Sequence, residues 1–408
     1  MILACFSNAA AQASYKVTDL GSEGNDNLGC AMSVNDEGWT EIMAAKMPPG
    51  EEDFIFGKLL RGRALIDVAG FKLDLDTLGG KNTWMNWGEI NNFGQVVGMS
   101  ETNLPDPNGE DICGFGTHLT CLPFLWQFFH MSALPTLGGN NGQASAINNH
   151  GQIVGFAENG VVDSTCPSGT TNNRIQLPVL WENGKPQALP TGSDPDGDAF
   201  WINDLGQAVG DTGTCGLATS HAASWENGIL TTLPDFGTGA IAYSINNGGQ
   251  IVGTVVSADN SNQTGALWQN QTLITLGLLP GDAGGIATGI NNKGQVVGSN
   301  WDSTFHWSHA FIWQNNVMTD LNTLFPDSIN LRATMANKIN ERGQISGMAV
   351  VRRGPHKGEI HAFLATPVNQ SVGRSVADVE PTRPESNLPA NISQQHLQRF
   401  LLGRFGGQ

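Results

Sequence analysis

Three aspartates stand at alternate positions in "SDPDGDA": Asp194, Asp196 and Asp198. Carboxylates at that spacing supply the hard oxygen ligands that calcium takes, so calcium is the candidate cofactor. Ala199 stands where a calcium loop of the EF-hand type wants Gly, so that match fails, and solvated turn acids are the competing reading. A second group is aromatic: Trp84 and Trp87 in "TWMNW", Trp201 in "FWIND", and Trp301 and Trp307 around His306 in "NWDSTFHW". An indole on a polar loop offers a flat apolar face and one donor, suited to stacking on a sugar or gripping a protein. Packing of the loops onto the scaffold is the alternative for these residues. No nucleophile motif, phosphate loop or zinc-ligand spacing occurs, and no residue is nominated as catalytic. Glycan hydrolysis would need two carboxylates at a set separation, which a sequence does not supply.

The six cysteines read as disulfide chemistry, since none forms a Cys-x-x-Cys pair. Cys113 and Cys121 bracket a spacing that could staple one loop. Cys166 and Cys215 hold equivalent places in successive repeats and could bridge neighbours, but spacing does not prove connectivity. Cys30 is left as an unpaired, partly buried thiol.

These groups sit on a chain of 408 residues with a formal net charge of −17. A nucleic-acid backbone calls for a basic face, so that class of partner is excluded; cations and basic protein surfaces fit better. No run of about twenty apolar residues is present to span a membrane. Charged residues make up 14% of the chain and Gly occurs 52 times, which suits short strands joined by tight turns.

One phrase recurs: "INNFGQVVG", "INNHGQIVG", "INDLGQAVG", "INNGGQIVG", "INNKGQVVG" and "INERGQISG". Asn at the head of a type I turn bonds the backbone ahead of it, and Gly at the fourth position takes the left-handed conformation. With alternating strands on either side, the phrase is a β-hairpin. A second hairpin follows each time, as in "PVLWENGKPQAL", with an Asn-Gly-like turn. Seven turn asparagines, Asn35, Asn91, Asn148, Asn203, Asn246, Asn291 and Asn340, lie 43 to 57 residues apart. Four strands per repeat and seven repeats predict an all-β, seven-bladed β-propeller of four-stranded antiparallel blades over 14–367. The last repeat, ending "HAFLATP", lacks a fourth strand and the chain begins with an unpartnered one, "YKVTDLG". Residues 15–20 are therefore expected to complete the last blade and close the ring.

These phrases resemble the HAF-repeat proteins, a family of extracellular repeat proteins. "HAF" stands here as His309-Ala310-Phe311 and His361-Ala362-Phe363, and degenerates to "HAA" at His221. The resemblance covers roughly 15–367 and implies an exported β-propeller with no activity or catalytic residues to carry over. Blade one departs from it, with Trp39 where other copies have Gln.

A residue that returns in every blade is maintained by blade geometry, so the turn Asn and Gly and Trp126, Trp181, Trp225, Trp268 and Trp313 are expected to be structural. Function is expected on the variable loops after each second strand and before each first one. Outside the repeats, 1–13 reads as the remnant of an export signal ending at Ala11-Gln12-Ala13; "ILAC" also loosely fits a lipoprotein box that would lipidate Cys5. Residues 368–391 read as a Pro-containing linker. In 392–408, Leu397, Phe400, Leu401 and Phe405 have the spacing of an amphipathic docking helix.

The reading is a secreted, periplasmic or cell-surface, non-catalytic module for a protein partner or extracellular glycan. A carbohydrate-active hydrolase or lyase, and a purely structural envelope protein, are the alternatives.

Overall fold

The computed structural model describes residues 14–24, 26–47, 59–85, 89–215, 219–258, 262–304 and 307–368. The expected signal remnant, lipidation site, linker and tail helix, with Leu397, Phe400, Leu401 and Phe405, lie outside the described residues. So do Trp87, His306 and the side chain of Trp307.

Regular structure among the described residues is 28 strands and one 3₁₀ turn, Leu321–Leu324. The strands form five four-stranded antiparallel sheets over 79–133, 142–188, 196–232, 240–275 and 284–320, and one eight-stranded sheet. The larger sheet is two four-stranded halves joined by a single parallel bridge, Leu28 to Ile360. One half runs through 28–74. The other joins the strands of 331–367 to Tyr15–Gly21, which pairs antiparallel with Ile360–Pro367, Tyr15 opposite Pro367 and Asp19 opposite Phe363. We number the four-strand groups in chain order as units 1 to 7, unit 7 being 331–367 with 15–21. From unit 3 through unit 7 to unit 1 the first strands of neighbouring units contact one another, so they face the middle of the assembly.

The repeated turn shows why its residue types recur. Asn35 Oδ1 accepts from the backbone N–H groups of Glu37 and Trp39, and Gly38 N–H closes the turn on the Asn35 carbonyl at 3.0 Å. Gly38 has φ +83°, and its six counterparts have φ from +72° to +79°, the region only Gly enters freely. The Asn amide nitrogen then reaches beyond its own unit. Asn35 Nδ2 donates to the Asn91 carbonyl, Asn91 to Asn148, and so on through Asn203, Asn246, Asn291 and Asn340, which donates back to Asn35, all at 2.8–3.1 Å. A second cycle runs beside it. The N–H of the residue after each Asn donates to a side-chain oxygen at that position one unit on, through Asp36, Asn92, Asn149, Asp204, Asn247, Asn292 and Glu341, at 2.8–3.0 Å.

The outer rim is joined by tryptophan. Trp181, Trp225 and Trp268 are buried, and each indole donates to a proline carbonyl of the preceding unit, Pro135, Pro190 and Pro234. The second-strand glycine is steric: a Cβ at Gly155 or Gly210 would lie about 2 Å from an inner-strand carbonyl oxygen.

Asn203→Ala would orphan the Leu205 and Gln207 N–H groups and the Gln207 amide oxygen, and would remove one of the two bonds to the Asn246 carbonyl. Unsatisfied buried groups cost roughly 1–3 kcal/mol each, so the variant is expected to lose at least about 2 kcal/mol in denaturant unfolding, whereas His150→Ala, at a free turn position, is expected to change little.

Candidate functional site

The two ends of the central space differ. At the end facing the long loops, buried Met32, Met43, Met85, Met99, Met335 and Met348 belong to one cluster with Ile286, and Trp84, Tyr243 and Trp301 pack on it. These side chains come from five different units and fill that end with apolar volume. Trp84 and Trp301 are therefore strand residues packed on the core rather than loop platforms; Trp84 meets Phe115 edge-on at 5.9 Å, and Trp301 lies on the bare face of Gly284.

The three candidate calcium ligands are set apart by the strand that begins at Asp196. Asp194 accepts from Thr212 Oγ1 and pairs with His221 Nδ1 at 3.1 Å. Asp196 is buried and accepts the Gln176 N–H, the role that Asn82 plays for Gly62 and Asn141 for Cys121, each twenty residues along the chain. It is a repeat position in which Asp stands for Asn. Asp198 is buried opposite Asp211 on the adjacent strand; burial and then the Asp211 charge push it well above the usual carboxylate range. None of the three is a solvated turn acid. The other two histidines of the "HAF" phrases are also paired, His309 with Asp282 and His361 with Asp19, both at 2.9 Å.

The loops above this end interlock. Disulfides join Cys113 to Cys121 within unit 2, and Cys166 to Cys215 between units 3 and 4. Asp111 N–H donates to Asn172, Asn173 N–H to Glu110, and Arg174 to Asn108, so the insertions of units 2 and 3 form one surface. Leu104, Val161 and Val162 are exposed on the strand extensions that carry it. Cys30 is free but fully buried, not partly buried; its thiol accepts from the Asn337 amide.

At the opposite end the repeated turns surround an open mouth of about 130 Å³. Its rim is the second hydrogen-bond cycle, in which Asp36, Asp204 and Glu341 stand among four asparagines. Beneath the rim, the position two residues before each turn Asn is Ser33, Glu89, Ala146, Trp201, Ser244, Gly289 and Lys338. Four of the seven are small or absent side chains and three are large, so the column is the least uniform part of the repeat. Lys338 is buried, its Nζ donating to the Thr288 carbonyl at 3.1 Å and lying 3.5 Å from the centroid of the Trp201 ring. Lys338 thus reaches from unit 7 past unit 6 to unit 4, over the bare backbone of Gly289. Glu89 is partly exposed in the mouth and accepts the Ile147 N–H at 3.2 Å. Of the tryptophans singled out from sequence, Trp201 alone lines this mouth among the described residues, from a strand rather than a loop.

A further carboxylate stands behind the column. Glu41 occupies the place held in units 2 to 6 by Val97, Val154, Val209, Val252 and Val297. It is fully buried, and neither oxygen has a hydrogen-bond partner. Burial, then the Glu89 charge, push it well above the usual range. Burial also raises Glu89, against the pull of Lys338 and the Ile147 N–H. Burial draws Lys338 down to about 7, against the pull of Glu89 and Glu41. An amine drawn down and two carboxyl groups pushed up thus stand together, Lys338 and Glu89 in the mouth and Glu41 behind it. Aligning the repeats column by column would have shown Glu41, Glu89 and Lys338, because each breaks its own column.

No family model matches the chain, and no curated protein does. Solved structures do. A streptogramin B lyase aligns at TM-score 0.50 and 10% identity, over 87% of this chain and 98% of that one. A gluconolactonase from Xanthomonas campestris aligns at TM-score 0.42 and 9% identity, over 89% and 94%. The β-propeller domain of a protease from Pyrococcus furiosus aligns at TM-score 0.36 and 10% identity, over 76% and 98%. At such identity the likeness is one of fold, an all-β propeller scaffold.

Glu41→Val would restore the column's usual residue. Removing a buried carboxyl with no partner is expected to stabilise by roughly 1–4 kcal/mol at pH 7. Because the folded protein holds the Glu41 proton more tightly than the unfolded chain, the ionisation part of the penalty is absent below the ordinary carboxylate value of 4.5 and grows as pH rises. The gap between the two unfolding midpoints is expected to be smallest near pH 4 and to widen by pH 7.

Proposed function

We propose that the chain is an exported, closed seven-bladed β-propeller of the HAF-repeat kind, acting as a non-catalytic binding or assembly module. Closure is supported by the pairing of Tyr15–Gly21 with Ile360–Pro367 and by two cycles of side-chain hydrogen bonds that return from unit 7 to unit 1. Two disulfides suit an oxidising compartment, and no helix among the described residues is long and apolar enough to cross a membrane.

The observation that carries the binding role is the interlocked surface of units 2 to 4. Disulfides and cross-loop hydrogen bonds hold long insertions in one arrangement. Loops ordered in advance lose less entropy on binding than free ones. Exposed Leu104, Val161 and Val162 give that surface apolar contact area, and the polar loops around them give a rim. The partner is a protein or an extracellular glycan. The Asp194–Asp198 segment remains our proposal for calcium dependence, through the partly exposed Asp194 side chain rather than the two buried acids.

Two measurements test this reading. The purified chain is applied to a broad glycan array and to secreted-protein fractions, with calcium and with chelator. Leu104→Asp with Val161→Asp is expected to abolish any association found while leaving the unfolding midpoint within a degree or so; unchanged association would place binding elsewhere. For closure, a chain starting at residue 22 is expected to unfold several degrees below one starting at residue 14 and to self-associate through the exposed edge of Ile360–Pro367. Equal midpoints would rule out a closing role for 15–21.

A further inference from the structure

We propose that Lys338 is a carbonyl-reactive amine, and that the mouth ringed by the repeated turns accepts small neutral aldehydes that form an imine with it. The proposal rests on geometry that the repeat does not need. Every other unit does without an amine in this column, and units 1, 3, 5 and 6 use Ser, Ala, Ser and Gly there. Lys338 has no carboxylate within ion-pair distance among the described residues; its bonded partner is a single carbonyl, that of Thr288. The rest of the ammonium faces the Trp201 ring at 3.5 Å. That ring would stabilise a cationic iminium as it does the ammonium, whereas the apolar setting favours the neutral, nucleophilic amine. The charged groups facing Lys338 are Glu89 in the mouth and Glu41 behind it, with Asp36, Asp204 and Glu341 on the rim above. Units 4, 5 and 6 present Trp201, Ser244 and Gly289, none of them charged. The acidic rim disfavours anionic carbonyl compounds, which is why the ligand class is neutral.

The step balances without an added oxidant or reductant. The Nζ lone pair forms a C–N bond as the carbonyl π bond opens onto oxygen. Glu89, facing Lys338 in the same mouth, is placed to carry the proton from nitrogen to that oxygen. The carbinolamine hydroxyl is then protonated and leaves as water, and the nitrogen lone pair closes the C=N bond. Burial holds Lys338 near a proton affinity of 7, which leaves a large share of it unprotonated at neutral pH.

The experiment uses the full chain with propanal and cyanoborohydride at pH 7.5, followed by mass mapping of every lysine. Lys338 is expected to be alkylated roughly 10- to 100-fold faster than surface lysines, since a free amine is the reactive form and ordinary lysines are almost wholly protonated there. Its rate should level off above about pH 7–8, while surface lysines keep accelerating. Denaturation in urea should bring Lys338 down to the rate of the others. Glu89→Gln should slow Lys338 alone, and Lys338→Arg should leave the surface pattern unchanged. Native Lys338 that labels no faster than the surface lysines, yet labels in urea, overturns the proposal and leaves Lys338 as a packed structural cation. Rapid labelling unaffected by Glu89→Gln would keep the reactive amine and remove Glu89 from the proton step.

Discussion

Everything in this structure depends on how one small side chain is satisfied. The turn asparagine has an oxygen that accepts two N–H groups of its own hairpin, and a nitrogen that donates to a carbonyl of the next hairpin. The first pair of bonds shapes the turn; the last sets the distance and angle between units. Because one residue performs both tasks, local turn geometry and global ring geometry are not independent. Repeating the residue therefore repeats the angle. Glutamine four residues on takes the remaining amide hydrogen in six of the seven units, so substitution at either position leaves an orphan in the other.

That constraint explains the split between what repeats and what varies. Turn Asn, second-strand Gly and third-strand Trp each meet an atom in a neighbouring strand or unit, while the turn Gly is required by its positive φ. No bond of the repeated turn uses a side chain of the column two residues before it, which holds Ser, Ala and Gly as well as Glu, Trp and Lys. The long loops vary as well, but in units 2 to 4 they are tied to one another by disulfides and polar contacts, and Phe115 anchors the first of them in the core. The scaffold thus offers two distinct places for specificity: a broad stapled surface at one end and a narrow polar mouth at the other, separated by a methionine-rich core.

The repeat phrase made the hairpins, the four-strand grouping and the pairing of 15–21 with the last strands readable from sequence, because turn chemistry and hydrophobic alternation are local signals. The pair Cys113–Cys121 was readable because its short spacing staples one loop, and Cys166–Cys215 because equivalent positions in adjacent units are close in space. Asp196 and Asp198 read from sequence as loop acids, calcium ligands or solvated, since "SDPDGD" has turn composition, whereas the strand starts at Asp196 and both are buried. Trp201 was placed on a loop for the same reason. Lys338, Glu89 and Glu41 went unread although the signal was present, as each departs from its column. Lys338 stands about 250 positions from Glu89 and about 300 from Glu41, so no window of sequence shows the three together.

In the closed ring we propose, all seven units are bonded uniformly. Amide hydrogen exchange on the native chain tests it most directly, at Trp39, Gln95, Gln152, Gln207, Gln250, Gln295 and Gln344, whose N–H groups bond the turn asparagines. A closed ring predicts comparable protection at all seven, with units 1 and 7 no weaker than the middle ones. Protection that falls by orders of magnitude in units 1 and 7 while the middle units hold would contradict closure and describe an open array with frayed ends.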